Sequence, residues 1–467
     1  MHDLRNQTFL SMLKKTGAEV LAGEHDTESF SHDKSYIGPR RPIAVAVPRN
    51  SGQVSRIMKL CNSGKVSVTA MGGGSSLTGS SIPSRNGIVI SMERLNKIIE
   101  VNIEDGFAVV EPGVTIAVLN KRLERYGYFY PPDPASARMA TIGGSISTNA
   151  GGLKALMFGS TKNWVLDIEL VLASGKVVRT GGSTLKMSRG YDITSLVVGS
   201  EGTLGIITLA VIRIIKKPES SGIIASYYTS IKAVADTVGE LKRRGMPLIM
   251  AEFMDHSSLS ELMRVRKKRA DSEARYMLLT AIASGSGNDS ALRTCMQIIR
   301  KHTKLKWEYF GTKKEIERVY NARRELHEVM VEEARAEGLD IVIGDVIVPP
   351  SRLAETLSAM ENEIKRSGER VALFGHIGDG NIHSNVYFVP GSTNSIGKVM
   401  ELQERLGLIA LKNGGSVSAE HGIGIEKKKL LIEELRSRKS IELLGIMKDI
   451  KNTFDPNGIL NRGKIFD

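Results

Sequence analysis

Residues 71–79 read MGGGSSLTG and follow the strand-like run KVSVTA at 65–70. Three consecutive glycines remove every Cβ between backbone and ligand, so that main-chain N–H groups can converge on an anion. Two familiar phosphate loops do not fit. Gly74 and Gly79 have the spacing of a Walker A loop, but Ser80 stands where its lysine belongs. Leu77 occupies the third glycine position of a Rossmann fingerprint. Two further Gly/Ser/Thr-rich stretches lie in the same half of the chain: TIGGSISTNAGG at 141–152, shortly after PPDP at 131–134, and VGSEGTLGIIT at 198–208. Three such loops in one domain form a long, narrow cleft in which backbone approaches a flat ligand; three ordinary turns would read alike.

Around these loops the first half carries short β-branched runs such as RPIAVAVP, GIVISM and WVLDIELVLASGKVV, the pattern of a sheet-based α+β domain. The pattern changes after Lys217. From residue 218 onward, strands (GIIASYY, PLIMAEFM, ARYMLLTAI, LDIVIGDVIVP) alternate with helices of 3.6-residue period (SIKAVADTVGELKRRG, SRLAETLSAMENEIKRSG). These features define a second domain with helices on one face of a largely antiparallel sheet. The expected segments are 1–217, 218–425 and a helical 426–467 that returns to the first domain, its closing FDPNGILNRGKIFD punctuated to dock.

A chain of 467 residues exceeds one core and accommodates two or three domains. Cys61 and Cys295 stand alone, without CxxC spacing, which excludes disulfide scaffolds, zinc ribbons and iron–sulfur clusters. The N-terminal sequence has no apolar h-region, and no stretch approaches the ~18 apolar residues of a membrane span, so a cytoplasmic location is expected. The net charge of +13 is spread over short runs at 242–244, 267–269 and 427–429, expected to be solvated helix faces. Without a recognition helix or aromatic-interleaved basic strip, no nucleic-acid partner is expected; peripheral contact with the inner face of a membrane stays open.

Residues 374–383 read FGHIGDGNIH and place two of the chain's nine histidines about a Gly-Asp-Gly-Asn turn. With the loop at 378–381, His376 faces His383, and directly opposed side chains have Cβ atoms about 4.5–5.5 Å apart. The pair reads either as two buried histidines satisfied by neighbours or as two ligands of one metal ion.

Together the three glycine-rich stretches, YNARRE at 320–325, FGHIGDGNIH and SAEHGIG at 418–424 resemble the FAD-dependent D-2-hydroxyacid dehydrogenases of the vanillyl-alcohol oxidase superfamily, over roughly residues 42–464. The resemblance implies a two-domain α+β fold: an FAD-binding domain and an antiparallel-sheet domain that caps the isoalloxazine. It implies that Gly72, Gly73, Gly74, Ser75, Ser76, Thr78 and Gly79 line the FAD pyrophosphate. Pro132, Thr141, Gly144, Ser147 and Thr148 would sit near the flavin, and Gly202 and Ile207 near the adenosine end. No His, Cys or Tyr lies in the glycine loops, so FAD is expected to be non-covalent. His376, His383 and Glu420 are implied as ligands of a divalent metal, Zn²⁺ with Mn²⁺ or Fe²⁺ as alternatives, and His421 as the base. Arg323 is implied as the substrate-carboxylate anchor, Arg324 being the other register, and Asn385 as a second substrate contact. Relatives acting on hydroxyglutarate carry a lysine where this chain has Ile343, which favours a small monocarboxylate such as D-lactate or glycolate.

Electrons must then leave FAD for an external acceptor: a quinone, a cytochrome, an electron-transfer flavoprotein or a partner subunit. A homodimer is expected. The rivals are a D-2-hydroxyglutarate dehydrogenase, a non-redox flavoenzyme resembling the ether-lipid synthase, and a flavin-free metal hydrolase.

Overall fold

The computed structural model describes residues 2–265, 273–284 and 289–466; the basic run at 267–269 lies outside them. The chain forms two compact units. Unit 1 comprises Met1–Ala150, Ser160–Lys217 and Glu420–Asp467, and unit 2 comprises Gly151–Gly159 and Pro218–Ala419. Compared with the expected segments, the division also falls after Lys217, but the chain re-enters unit 1 at Glu420 rather than 426, and the short stretch 151–159 goes to unit 2.

Unit 1 contains a four-stranded sheet in the order Glu19–Leu21, Ala44–Val47, Ile88–Ser91, Val68–Met71. Its first pair is antiparallel and the other two are parallel. The helix Ser51–Gly64 carries the crossover from Ala44–Val47 to Val68–Met71, the two strands that flank Ile88–Ser91 in parallel. Asn50 caps that helix by accepting from the Gln53 amide, and Val54, Ile57, Met58 and Cys61, spaced i, i+3, i+4, i+7, are buried in the sheet's core. A second sheet of five antiparallel strands runs Ile98–Asn102, Phe107–Val110, Ile206–Arg213, Val165–Val171, Val177–Arg179. The C-terminal tail docks beside Val68–Met71: the Val68 amide donates to Ile459 O and the Asn461 amide to Val68 O, both at 2.8 Å, with Ile459 and Leu460 buried. The glycine loop leaves this strand at Met71.

Unit 2 is built on one seven-stranded sheet in the order Trp307–Phe310, Glu219–Tyr228, Tyr276–Ser284, Leu248–Asp255, Val371–Gly375, Asn381–Phe388, Asp340–Ile347. All six pairings are antiparallel. The two periodic segments form the helices Ile231–Arg243, capped by Ser230, and Leu353–Ser367, closed by Gly368 in the left-handed region.

The histidine hairpin forms in a register different from the expected one. Phe374, not His376, pairs with His383, and Leu373 pairs with Ser384. The turn starts earlier: His376 O accepts from the Asp379, Gly380 and Asn381 amides at 3.1–3.2 Å, and the Gly378 amide donates sideways to Ala251 O at 3.2 Å. The two-residue shift preserves the side-chain face, whereas a one-residue shift would have reversed it. The imidazoles therefore still meet, with ring centroids 5.2 Å apart and the planes perpendicular.

Of the basic runs, 242–244 is exposed as expected, whereas 427–429 departs from the expectation at its first residue. Lys427 is buried, and Lys242 Nζ reaches into the hairpin turn to donate to Gly378 O at 2.7 Å.

Candidate active site

In unit 1 the half-buried loop from Gly72 to Leu77 turns at Gly74, whose φ of +63° is a conformation that side chains rarely adopt. Among the described residues, the backbone N–H groups of Gly73, Gly74, Ser75, Ser76 and Leu77 find no protein acceptor. Five successive half-buried donors without partners fit a diphosphate, which supplies the acceptors they lack. Ser76 Oγ folds back within the loop, receiving the Ser80 hydroxyl at 2.7 Å. Thr78 is buried and turned the other way, its hydroxyl donating to His421 O at 3.2 Å.

The stretch at 141–152, expected to be a loop, forms a helix over Ile142–Thr148 with Thr141 as its cap, accepting from the Gly144 amide. The Ser147 and Thr148 hydroxyls donate back to Gly143 O and Gly144 O, so the helix's own carbonyls hold them. Thr141 also sets the approach of the first loop, since a Cβ at Gly72 would collide with its hydroxyl. Pro132 is buried, as is Ile207 on the strand Ile206–Arg213. Gly202 lies in the turn before that strand at φ +72°. Glu420 and His421 belong to this unit, with side chains largely shielded and His421 Nε2 3.8 Å from Glu420 Oε1.

In unit 2 one sheet face collects the ionisable groups. Strand alternation and register put Asp345 opposite His383, His383 opposite Phe374, and Phe374 opposite Met254. Phe253 pairs with Gly375, so one step further along Glu252 lies beside His376. Glu252 Oε1 accepts from His376 Nδ1 at 2.7 Å. Because a carboxylate only accepts, Nδ1 carries a proton, and in the neutral ring this leaves the lone pair on Nε2. Glu252 Oε2 lies 2.7 Å from Arg323 Nη2, an ionic contact without a directed hydrogen bond. Arg323 comes from the helix Lys313–Arg324, where Thr312 and Glu315 form a capping box and Val319 and Arg323 are the buried positions. Its guanidinium covers the Phe374 ring at 4.9 Å, and its Nε has no hydrogen-bond acceptor among the described residues. The other register is excluded as the buried one: Arg324 is partly exposed and donates to Asn321.

Asp345 Oδ1 receives Asn381 Nδ2 at 2.8 Å, and Oδ2 receives the Ala419 amide at 2.9 Å. The carboxylate opposite His383 thus holds Ala419, after which the chain continues to Glu420. Asn385, fully buried two residues beyond His383, contacts His327 Nδ1 at 3.1 Å through its Nδ2, while its Oδ1 has no hydrogen-bond partner among the described residues. Ile343 pairs with Asn385 and presents an apolar side chain on this face.

Glu252, Asp345 and His327 escaped the sequence analysis. The first two had a legible signal: each interrupts an otherwise apolar strand, LIMAEFM and DIVIGDVIV, where an unpaired charge would be costly. His327 had none.

Comparison with known proteins gives the family and the fold. Residues 42–181 match the FAD binding domain and residues 217–465 the C-terminal domain of FAD linked oxidases. The chain is 33% identical over 445 residues to glycolate oxidase subunit GlcD of Bacillus subtilis, covering 94% of this chain and 92% of that one. It is 32% identical over 461 residues to a mitochondrial D-lactate dehydrogenase [cytochrome] of Arabidopsis thaliana, covering 98% and 80%. Its fold superposes on p-cresol methylhydroxylase with a TM-score of 0.80 at 15% identity, covering 100% of this chain and 97% of that chain.

Proposed function

This chain belongs to the FAD-linked oxidases, and on that premise we propose that it oxidises a small D-2-hydroxyacid, D-lactate or glycolate, to the 2-oxoacid. The observation that carries the reading is the buried row Arg323–Glu252–His376 with His383 beside it, a set of side chains with cationic, acceptor and metal-ligating roles on one sheet face. Bound FAD supplies the two-electron acceptor, and a divalent metal supplies Lewis acidity toward the substrate hydroxyl.

His376, His383 and Glu420 are the ligands in this proposal. Two neutral imidazoles and a carboxylate suit Zn²⁺, with Mn²⁺ or Fe²⁺ as alternatives, and leave a position for substrate. Glu252 fits His376 for the part by holding the tautomer that presents Nε2. His421 takes the hydroxyl proton. Arg323 Nε offers a buried, acceptor-less donor to the substrate carboxylate, while Glu252 balances the guanidinium charge when no substrate is present. Asn385 Oδ1 offers the face a second polar contact. Ile343 provides an apolar wall where a second carboxylate would need a cation, which favours lactate or glycolate over hydroxyglutarate. Electrons leave for an external acceptor, such as a cytochrome, quinone, electron-transfer flavoprotein or partner subunit.

Steady-state turnover of D- and L-hydroxyacids with an artificial dye acceptor tests the reading. D-lactate or glycolate should turn over at least tenfold better than L-lactate or D-2-hydroxyglutarate, about 1.4 kcal/mol of discrimination. A preference for D-2-hydroxyglutarate would move the assignment to that substrate, and inertness toward every hydroxyacid would remove it.

A further inference from the structure

The segment carrying His421 is fastened by residues that sequence analysis assigned to the cofactor loops or left unassigned beside them. Glu201, between Ser200 and Gly202, is buried at 4% exposure and held at φ +50°, in the left-handed region that is costly for a residue with a side chain. Its two carboxylate oxygens each accept one backbone amide: Oε1 from Ile423 at 2.7 Å and Oε2 from Gly424 at 2.8 Å. Gly422 and Gly424, at φ +80° and +54°, curl the chain so that successive N–H groups converge on this one carboxyl group. A Cβ at Gly422 would stand 3.0 Å from the Glu201 carboxyl carbon, and one at Gly424 would strike Thr78 O.

Thr78 completes the fastening. Its hydroxyl donates to His421 O, and its carbonyl accepts from the Ile425 amide at 2.9 Å. Glu201 is in turn fixed through its own backbone. Its amide donates to Ser147 O at 2.8 Å, in the helix assigned to the flavin, and its carbonyl accepts from Asn461 Nδ2 at 2.6 Å. The same Asn461 Nδ2 donates to Ser80 O at 2.9 Å, just past the glycine loop. One node therefore joins the glycine loop, the helix Ile142–Thr148, the C-terminal tail and the His421 segment, all within unit 1.

We propose that Glu201 is a positioning residue for His421, and that its carboxylate makes the order of residues 421–425 depend on the loading of the cofactor loops. The acceptors that FAD brings to residues 73–77 stiffen the loop that carries Thr78, and that stiffness passes to the His421 segment through the Thr78 and Glu201 contacts. This rests on the assignment of His421 as the base only for its kinetic consequence; the coupling itself is read without catalysis.

Amide hydrogen exchange of residues 421–426, measured on wild type with and without FAD and on Glu201→Gln with FAD, tests the coupling directly. A glutamine cannot accept one N–H group at each of its two terminal atoms, as Glu201 does, because one of those atoms is itself a donor. FAD should slow exchange at Ile423 and Gly424 by about tenfold or more in wild type, and Glu201→Gln should lose that protection while retaining FAD. In the same variant, anaerobic flavin reduction by D-lactate should slow by about 10²-fold, while reduction by dithionite is unchanged. If Glu201→Gln does not fold, Thr78→Val replaces it, removing only the hydroxyl bond to His421 O, with a smaller loss of protection expected at the same amides. Unchanged protection in the folded variant overturns the proposal, and so does flavin loss in proportion to the loss of rate, which would make Glu201 a cofactor-loop residue only. Wild type inert toward hydroxyacids but protected by FAD would refute the substrate assignment and leave the coupling standing.

Discussion

From Gly73 to Leu77 the molecule offers a ligand five backbone N–H groups and no charged side chain. From Glu252 across to Asp345 it offers carboxylates, imidazoles and a guanidinium on a sheet whose ladder occupies the backbone. The first region recognises by the absence of Cβ atoms, the second by the placement of side chains. Backbone donors are indifferent to their neighbours' chemistry, so such a loop is broken by bulk. A charged row is interdependent, so it is broken by removing any one member and partly mended by removing a second.

Gly74→Val should have the largest effect on flavin content. A β-branched residue at φ +63° is strained by about 1–3 kcal/mol, and its side chain enters the ligand's space. The variant should purify folded with absorbance near 450 nm reduced at least about tenfold, that is, by 1.4 kcal/mol or more of binding. Retained yellow colour would show that the loop does not hold FAD.

Arg323→Ala leaves the Glu252 carboxylate buried without its counter-ion, at a cost of about 3–5 kcal/mol. Its thermal midpoint should fall and its KM rise, with FAD retained. Adding Glu252→Gln should recover part of the midpoint but not the KM. Additivity of the two losses would show that the pair is not a unit.

Glu201 gives the next effect, through pH. Burial, the dominant cause, pushes its carboxyl up from 4.5 to about 7 against the pull of the Ile423 and Gly424 amides. The folded state then holds a proton that the unfolded chain releases near 4.5, so the contribution is complete below that pH and is lost as pH rises through 7, up to about 3 kcal/mol. The thermal midpoint of wild type relative to Glu201→Gln should therefore fall between pH 5 and 8. A rising difference would contradict a raised carboxyl.

Lys242→Ala should have the smallest effect. Its bond to Gly378 O is at the solvent edge, so the loss should be under about 1 kcal/mol in chemical denaturation, with flavin content unchanged.

The same contrast explains what the sequence made legible. The glycine loop could be read directly, because a run of glycines has few uses other than close backbone approach. The helices Ile231–Arg243 and Leu353–Ser367 followed from their period. The hairpin was found, but its register was off by two, because Gly-Asp-Gly-Asn permits several turns and the choice is made by Gly378 bonding to Ala251 on another strand. Glu252 could not be joined to His376 and Arg323 without that register, since the three residues lie on separate elements. Glu201 looked like part of a glycine-rich turn until its carboxylate was seen among the amides of residues 423 and 424.

The central claim, that side chains assigned to a metal act on a hydroxyacid whose electrons go to FAD, is tested most directly by anaerobic flavin bleaching in chelator-treated protein that keeps its FAD. With D-lactate or glycolate, the metal-depleted protein should remain yellow and bleach on return of Zn²⁺ or Mn²⁺, while His383→Ala stays yellow or needs far more metal. Bleaching at the full rate with no detectable metal would contradict the account and leave His376 and His383 as a buried structural pair.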